Sequence, residues 1–220
     1  MVQINIKMKS VIIGAGTYGE VYLAYLQEAG VDIVGFLDDN PKLENSVVRG
    51  VPVLGKIDLL QTLQNTHSIE AVYCPIGNNK LRASLLQNAN LLGYQTPNFI
   101  HPSVHISPDV NIANEGVYIL PKTIIMPWSK IDKYVMMSVG SIVSHHSHLE
   151  EGCFLSFGVN FGASIIAHKY AYCGINSTIM TGIKELGEDC LIGAGAVVIR
   201  DVEPRAIVAG VPAKVIKYKE

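Results

Sequence analysis

The sequence has few charged residues and no concentrated basic segment. Charged residues make up 16% of the 220 residues, the net charge is −2 at pH 7, and no run of Lys or Arg exceeds two residues. Proteins that bind nucleic acids or anionic membrane surfaces concentrate positive charge on one face. We therefore expect no nucleic-acid partner and no basic membrane patch.

The sequence also lacks paired cysteines and long apolar runs. Its cysteines are Cys74, Cys153, Cys173 and Cys190, without a CxxC pair, and we expect them to be reduced and structural. Nowhere do about 18 uncharged apolar residues run together. Two lysines interrupt the apolar N-terminal segment, and no small-residue cleavage site follows it. These features predict a soluble, cytoplasmic protein without membrane insertion.

Residues 10–36 follow the order strand, glycine turn, helix, strand. An apolar run enters Gly14-Ala15-Gly16, a stretch with helical apolar spacing ends at Gly30, and "VDIVGFL" is a second strand. "HSIEAVYCPIG" and "NNKLRASLLQNANLLG" repeat the alternation as strand and helix. The pattern predicts a mostly parallel α/β domain, βαβ and Rossmann-like, over residues 1–97.

From residue 98 onward the apolar period changes to six. With one extra residue allowed at two places, seventeen successive positions are all apolar. They are Ile100, Ile106, Ile112, Ile119, Ile125, Ile131, Met137, Val143, Leu149, Leu155, Phe161, Ala167, Cys173, Ile179, Leu186, Ile192 and Val198. Short strands that each turn one side chain inward before a corner have this period, so residues 98–220 are expected to form a parallel β-helix. Glycines such as Gly158 and Gly174 suit its corners, and the tail from Arg200 onward is a candidate cap for the last coil.

The hexad register and the tail "GAGAVVIRDVEPRAIVAGVPAKVIK" resemble the left-handed β-helix (hexapeptide) acyltransferase superfamily, and the handedness is taken from this resemblance. With "FLDDNP", "IGNNKLR" and "IHPSVHISPDV", the whole chain resembles the nucleotide-linked amino-sugar N-acetyltransferases that include the bacillosamine and perosamine enzymes, and the related sialic-acid O-acetyltransferases. The resemblance implies acetyl-CoA as co-substrate and a homotrimer with active sites between subunits.

In that family the N-terminal domain holds the nucleotide of a nucleotide-sugar. A glycine turn at a helix N-terminus offers backbone amides to a diphosphate. The resemblance places Gly14, Gly16, Thr17 and Tyr18 at the phosphates, with Tyr18 where a histidine is usual, and Asp38 and Asp39 at the base or ribose. "GxGxxG" alone would equally indicate an NAD site, but a domain of about 95 residues is short for a complete dinucleotide fold.

The sequence contains a cluster of three histidines, His145, His146 and His148. The cluster has three possible interpretations: a catalytic base, a metal site or a polar structural edge. The resemblance gives His145 the role of general base in "V-S-H-H-S" and puts His146 where relatives have the carboxylate that orients the base. We expect no metal site, because adjacent residues of a strand point to opposite sides. His148 has no role in the family and is expected to be a solvent-exposed structural residue.

The same resemblance assigns the acetyl-CoA contacts. Ile175 and Ala194 are expected along the pantetheine arm, and Phe154 beside the thioester, where many relatives have a histidine. Lys214 is suited to phosphates, with a solvated lysine at a helix start as its alternative. A backbone amide near Gly162-Ala163 is a candidate donor to the oxyanion.

The first hypothesis is therefore acetyl transfer to the amino group, at C4, of a UDP-linked deoxy-amino sugar, with GDP and dTDP sugars also open. The second is O-acetylation of a sugar hydroxyl, a weaker nucleophile that demands more of the base. The third is a non-catalytic trimer that binds a nucleotide-sugar, for which Phe154 and His146 are the best support.

Overall fold

The computed structural model describes residues 8–220, apart from the side chain of residue 65. The chain divides into two compact units between Phe99 and Ile100. The first seven residues of the expected domain 1–97 lie outside the described part of the chain.

The N-terminal unit is a five-stranded α/β sheet in the order β3-β4-β2-β1-β5. Its elements are β1 Ser10–Ile13, α1 Thr17–Glu28, β2 Ile33–Leu37, β3 Val47–Val48, β4 Val51–Gly55, α2 Leu60–His67, β5 Ala71–Tyr73 and α3 Asn79–Leu91, with short 3₁₀ turns at Pro41–Leu43 and Ile57–Leu59. Strand β1 pairs in parallel with β2 and β5, and β2 with β4, while β3 is antiparallel to β4. The parallel α/β organisation predicted from the sequence is therefore confirmed. The sequence reading missed β3, β4 and α2, whose segments are short and include Pro52.

Residues 99–198 form a left-handed parallel β-helix of two-residue strands, as expected. The strands are β6 Phe99–Ile100, β7 His105–Ile106, β8 Asn111–Ile112, β9 Tyr118–Ile119, β10 Ile124–Ile125, β11 Lys130–Ile131, β12 Met136–Met137, β13 Ile142–Val143, β14 His148–Leu149, β15 Phe154–Leu155, β16 Asn160–Phe161, β17 Ile166–Ala167, β18 Tyr172–Cys173, β19 Thr178–Ile179, β20 Glu185–Leu186, β21 Leu191–Ile192 and β22 Val197–Val198. Every third strand belongs to the same sheet, which gives three sheets that wind around one core.

The six-residue register is confirmed position by position. Each of the seventeen apolar positions is the second residue of one strand, and those from Ile119 to Val198 are at most 2% exposed. The first coil is less covered, since Ile106 is 39% exposed. A side chain that points inward at every sixth residue is thus buried by the coils on both sides of it.

The corners need small residues for two different physical reasons. Gly158 has φ +65°, a left-handed conformation that costs glycine little. Gly174 is not left-handed; a Cβ atom there would lie 2.7 Å from both the Ala194 nitrogen and the Ile192 oxygen of the next coil. At Gly174 it is therefore the close stacking of backbones, and not a positive φ, that excludes a side chain.

The C-terminal tail adds two longer strands, β23 Ala206–Ala209 and β24 Lys214–Tyr218. Strand β23 pairs in parallel with β21, and β24 returns antiparallel to β23. Val202, Ala206 and Val208 join the apolar cluster inside the β-helix. The tail therefore covers the last coil. Lys214 is the first residue of a strand and does not begin a helix.

Candidate functional site

The glycine turn of the N-terminal unit is tightly packed. Gly14 follows β1 with φ +95°, and its amide donates to the Leu37 oxygen at 2.8 Å. A Cβ atom on Gly19 would lie 1.9 Å from the Gly14 oxygen, so glycine there lets α1 begin directly against the turn. Gly16 is the N-cap of α1 and carries no capping side chain. The first-turn amides of α1, which have no acceptor within the helix, start at the exposed Thr17 beside Tyr18.

The carboxylates of Asp38 and Asp39 bind the backbone of neighbouring loops. Asp38 accepts from the Ala15 amide through Oδ2 and from the Asn40 amide through Oδ1, both at 2.8 Å. Asp39 Oδ1 accepts from the Ile57 amide at 2.9 Å. These bonds join the loops that follow β1, β2 and β4. The two aspartates therefore stabilise the conformation of these loops, a structural role that was not predicted from the sequence.

Asp38 and Asp39 also line a small pocket whose other residues sequence reasoning missed. The pocket is completed by Asn40, Pro41, Glu44, Gly55 and Lys56. Lys56 directly follows β4, so its place at the carboxyl end of a parallel strand was the available signal.

A buried arginine binds the loop that packs against the glycine turn. Arg82 of α3 is fully buried; its Nη1 donates to the Ile76 oxygen at 2.8 Å and to Asn79 Oδ1 at 3.1 Å. A Cβ atom on Gly14 would lie 3.1 Å from Ile76 Cγ1. The loop that follows β5 is therefore held against the glycine turn by a charge that the sequence reading did not single out.

His145 and His146 meet side by side in the corner between β13 and β14, residues 144–147, which we call the histidine corner. Their Nδ1 atoms are 2.9 Å apart and their rings meet edge to face, with centroids 5.1 Å apart. The expectation that the two side chains point to opposite sides is wrong. Alternation holds within a strand, whereas His146 lies in a turn with φ +58°.

Burial and neighbours distinguish the two rings. His145 is half-buried, while His146 is exposed and packs against Trp128 of the preceding coil, with ring centroids 4.7 Å apart. His148 belongs to β14, and its Nε2 lies 2.8 Å from Asp132 Oδ2. It is therefore half-buried and paired, not simply exposed. Among residues 8–220, no three His, Cys, Asp or Glu side chains converge as metal ligands would.

Ala163 lies one coil beyond His145, in the same column of corners. Its amide donates to Thr181 Oγ1 at 3.0 Å, and the Gly162 amide donates to the Ile179 oxygen at 2.9 Å. The amides of Gly162 and Ala163 both donate to acceptors within the chain. Neither is therefore free, in this structure, to donate to the oxyanion as was expected from the sequence.

The remaining expected cofactor residues are spread over different surfaces of the β-helix. Ile175 and Ala194 are exposed and occupy one column of corners, with the Gly195 amide donating to the Ile175 oxygen at 2.8 Å. Phe154 is 1% exposed and packs edge to face against Tyr172, with ring centroids 5.2 Å apart. Lys214 is exposed at the start of β24. The structure thus brings Ile175 and Ala194 together and leaves Phe154 inside the molecule.

The cysteines are all free and buried. Burial raises the pKa of Cys74 and of Cys190 to about 12. Because a thiolate is the reactive form, these thiols are poor nucleophiles at neutral pH. No helix among residues 8–220 combines the length and apolar character needed to cross a membrane.

Comparison with known proteins assigns the two units. Residues 9–89 match the family described as the PglD N-terminal domain. A solved structure of a variant of GDP-perosamine N-acetyltransferase from Caulobacter crescentus, in complex with CoA and GDP-perosamine, is 29% identical, with a TM-score of 0.89 and coverage of 96% of this chain and 98% of that one. The acetyltransferase domain of PglB from Neisseria gonorrhoeae, in complex with acetyl coenzyme A, is 27% identical, with a TM-score of 0.72 and coverage of 94% and 98%.

Curated relatives match over shorter segments. A 2,3,4,5-tetrahydropyridine-2,6-dicarboxylate N-acetyltransferase from Enterococcus faecalis is 42% identical over 55 residues, which are 25% of this chain and 23% of that protein. The chain spans less than two-fifths of the length of this and the next curated relatives, whose matched shares are 37% and 30%.

The fold and these similarities define the class: the protein is a member of the left-handed β-helix, or hexapeptide, acyltransferase superfamily. Within that superfamily, residues 9–89 match the PglD N-terminal domain family, and nearly the whole chain is similar to GDP-perosamine N-acetyltransferase and to the acetyltransferase domain of PglB. The resemblance stated from the sequence is confirmed.

Proposed function

We propose that this protein transfers an acetyl group from acetyl-CoA to the amino group, at C4, of a nucleotide-linked deoxy-amino sugar, with His145 as general base. The observation that carries the proposal is the hydrogen-bonded pair of His145 and His146 in the histidine corner. The similarity over nearly the full chain to an enzyme solved with CoA and GDP-perosamine supports the choice of substrates.

The reaction needs one group that first takes and then returns a proton. The amine nitrogen attacks the thioester carbonyl carbon while His145 takes the amine proton. The tetrahedral intermediate then collapses, the C–S bond breaks, and the thiolate receives the proton from His145. The products are the N-acetylated sugar and CoA, and His145 returns to its neutral form.

His146 orients the base in place of a carboxylate. It lies within hydrogen-bonding distance of His145 but supplies no negative charge when neutral, so it stabilises an imidazolium less than a carboxylate would. An amine needs less help from a base than a hydroxyl does. The histidine pair therefore favours N-acetylation over O-acetylation.

The nucleotide is proposed to bind at the glycine turn of the N-terminal unit. Gly14, Gly16, Thr17 and Tyr18 would present backbone amides of the turn and of the N-terminus of α1 to the diphosphate. Lys56 adds a positive charge to the pocket beside Asp38 and Asp39. The sequence favours UDP, and the relative solved with GDP-perosamine makes GDP the competing nucleotide.

Acetyl-CoA is proposed to lie along the column of corners that contains Ile175 and Ala194. The exposed Ile175 side chain, at 47%, offers apolar surface to a pantetheine arm. Phe154, which is buried against Tyr172, is proposed to hold that ring beside the thioester. Ala163 is proposed to leave room for the thioester, because its side chain is small. Lys214 is free to approach a phosphate as a point charge.

We propose a homotrimer, because the superfamily builds its sites between subunits and His145 lies at a corner that is only half-buried. Light scattering coupled to size-exclusion chromatography would give three times the chain mass of 23.9 kDa. A monomeric mass for the active enzyme would reject this arrangement.

The decisive experiment combines acetyl-CoA with UDP-, GDP- and dTDP-linked 4-amino-4,6-dideoxy sugars and follows thiol release. The wild type should release thiol with one of these sugars. His145→Ala should lower that rate about 100-fold or more, as expected for loss of a general base. The matched control is His148→Ala, which removes a histidine from the adjacent strand and should keep the wild-type rate. Thiol release with hydroxyl sugars alone would replace N-acetylation by O-acetylation, and binding without release would favour a non-catalytic role.

A further inference from the structure

Trp128 occupies a position where a bulky side chain is costly. It lies in the corner that follows β10, one coil before His146, with φ +61°. Left-handed backbone is unfavourable for large residues and easy for glycine, which stands at the matching corner position at Gly140 and Gly158. The Trp128 side chain is 57% exposed, so burial offsets little of this cost.

Two aromatic residues at this corner position reach a partner. The hydroxyl groups of Tyr134 and Tyr170, both left-handed, donate to Glu115 at 3.2 Å and to Glu151 at 3.0 Å. Trp128 instead packs against the His146 ring, with centroids 4.7 Å apart and planes inclined by 36°. The contact with His146 is therefore the feature that explains an indole at this corner.

The orientation of the exposed His146 ring matters for catalysis. A hydrogen bond between two Nδ1 atoms requires that one carries a proton and the other does not. Base catalysis through His145 Nε2 requires the form in which His145 Nδ1 donates and His146 Nδ1 accepts. Rotation of the His146 ring would remove the acceptor and leave the tautomer of His145 undetermined.

We propose that Trp128 is a positioning residue for the base His145. Trp128 acts on His145 through His146. Its indole holds the imidazole of His146 in the orientation that accepts from His145 Nδ1, so that His145 keeps its lone pair on Nε2. This inference rests on the proposed function, but it concerns a geometry that is measurable without any substrate.

The kinetic test compares Trp128→Gly with Trp128→Phe. Because the ring is proposed to orient the base and not to bind substrate, Trp128→Gly should lower kcat about 10-fold and change KM by less than about 2-fold. Trp128→Phe keeps an aromatic face and should recover most of kcat. The matched control is Lys122→Gly, which removes an exposed side chain from another left-handed corner at φ +59° and should leave kcat unchanged. A rise in KM with constant kcat would overturn the proposal by making Trp128 a substrate contact.

A double-mutant cycle tests whether Trp128 acts through His146. In the background of His146→Ala, the further change Trp128→Gly should have no additional effect on kcat. Independent, multiplicative losses in the double variant would show that Trp128 acts by another route and would reject the proposal.

A spectroscopic test separates this inference from the proposed function. The ring nitrogens of ¹⁵N-histidine-labelled protein report each tautomer, and His145→Ala and His146→Ala identify the signals. Wild type should show His145 protonated at Nδ1, and Trp128→Gly should show a mixture of tautomers. An unchanged His145 tautomer in Trp128→Gly would overturn the inference, whether or not any sugar is acetylated. Absence of thiol release combined with the expected tautomer shift would instead reject only the proposed function.

Discussion

In the N-terminal unit the two candidate aspartates bind backbone, whereas in the β-helix the two candidate histidines bind each other. Asp38 and Asp39 accept from three loop amides, so their carboxylates belong to the framework of the loops. His145 and His146 meet through their side chains in a corner whose backbone bonds run to the neighbouring coils. Changes in the first region should therefore affect folding and binding together, and changes in the second should affect catalysis with little loss of stability.

The largest effect is expected for the glycine turn. Gly19→Ala places a Cβ atom against the Gly14 oxygen at 1.9 Å, which forces α1 away from the turn. We expect a loss of about 3 kcal/mol in the free energy of unfolding, at the upper end for overpacking. Chemical denaturation followed by circular dichroism measures it.

The control for this substitution is Gly16→Ala. No heavy atom outside its chain neighbours lies within 4 Å of a Cβ atom there. Loss of an N-cap glycine should cost about 1 kcal/mol or less. Equal losses at the two positions would contradict the close packing of Gly19.

His145→Ala should show the opposite behaviour. The fall in acetyl transfer of about 100-fold or more should come with a change of less than about 0.5 kcal/mol in the free energy of unfolding, because the side chain contributes no core packing. Denaturation curves and thiol release measured on the same preparation test both halves. A large loss of stability would remove the contrast between the two regions.

Asp38→Asn should affect stability and binding together. An amide cannot accept from both the Ala15 and Asn40 amides through two oxygens, so one donor loses its acceptor. We expect a loss of about 1 to 2 kcal/mol in the free energy of unfolding and a higher KM for the nucleotide-sugar. Asp32→Asn, at an exposed position before β2, is the matched control. A raised KM with unchanged stability would assign Asp38 to the ligand alone.

The smallest effect concerns pH. The pKa of His168 is raised, first by its hydrogen bond to Glu185 and also by Glu150, and these partners lie 3.0 and 3.3 Å away. A histidine with a raised pKa in the folded state stabilises the protein below its unfolded pKa of about 6.5, and this contribution is lost as pH rises through the folded value. We expect His168→Gln to cost less than about 1 kcal/mol at pH 6 and almost nothing at high pH. Urea denaturation at pH 6 and pH 9 measures the difference, and an equal cost at both values would exclude a charged pair.

The sequence predicted some features fully and others only by type. The six-residue period identifies the inward position of every short strand, because each strand contributes one apolar side chain to the core and successive strands are about six residues apart. The βαβ pattern identifies β1, α1, β2, β5 and α3 because their apolar runs are long enough to show a period. The segment from β3 to α2 was missed because Pro52 interrupts β4 and because α2, with the sequence LQTLQNTH, has few apolar residues to show a period.

The sequence predicted which residues form the candidate site, but it did not predict most of their contacts. His145 was predicted to be the base and His146 to occupy the position of its orienting residue, but their side chains were expected to point to opposite sides of a strand. Their mutual hydrogen bond follows from the left-handed backbone of His146. The loop bonds of Asp38 and Asp39 join residues far apart in the chain, and no local pattern encodes such pairs.

The sequence by itself therefore determined the register of the β-helix and the parallel order of the N-terminal unit, because burial repeats at a fixed period along the chain. Only the tertiary structure decided that Trp128 faces His146 and that Arg82 supports the glycine turn. Those contacts depend on which coil or loop lies beside which, and that proximity exists only after the chain has folded.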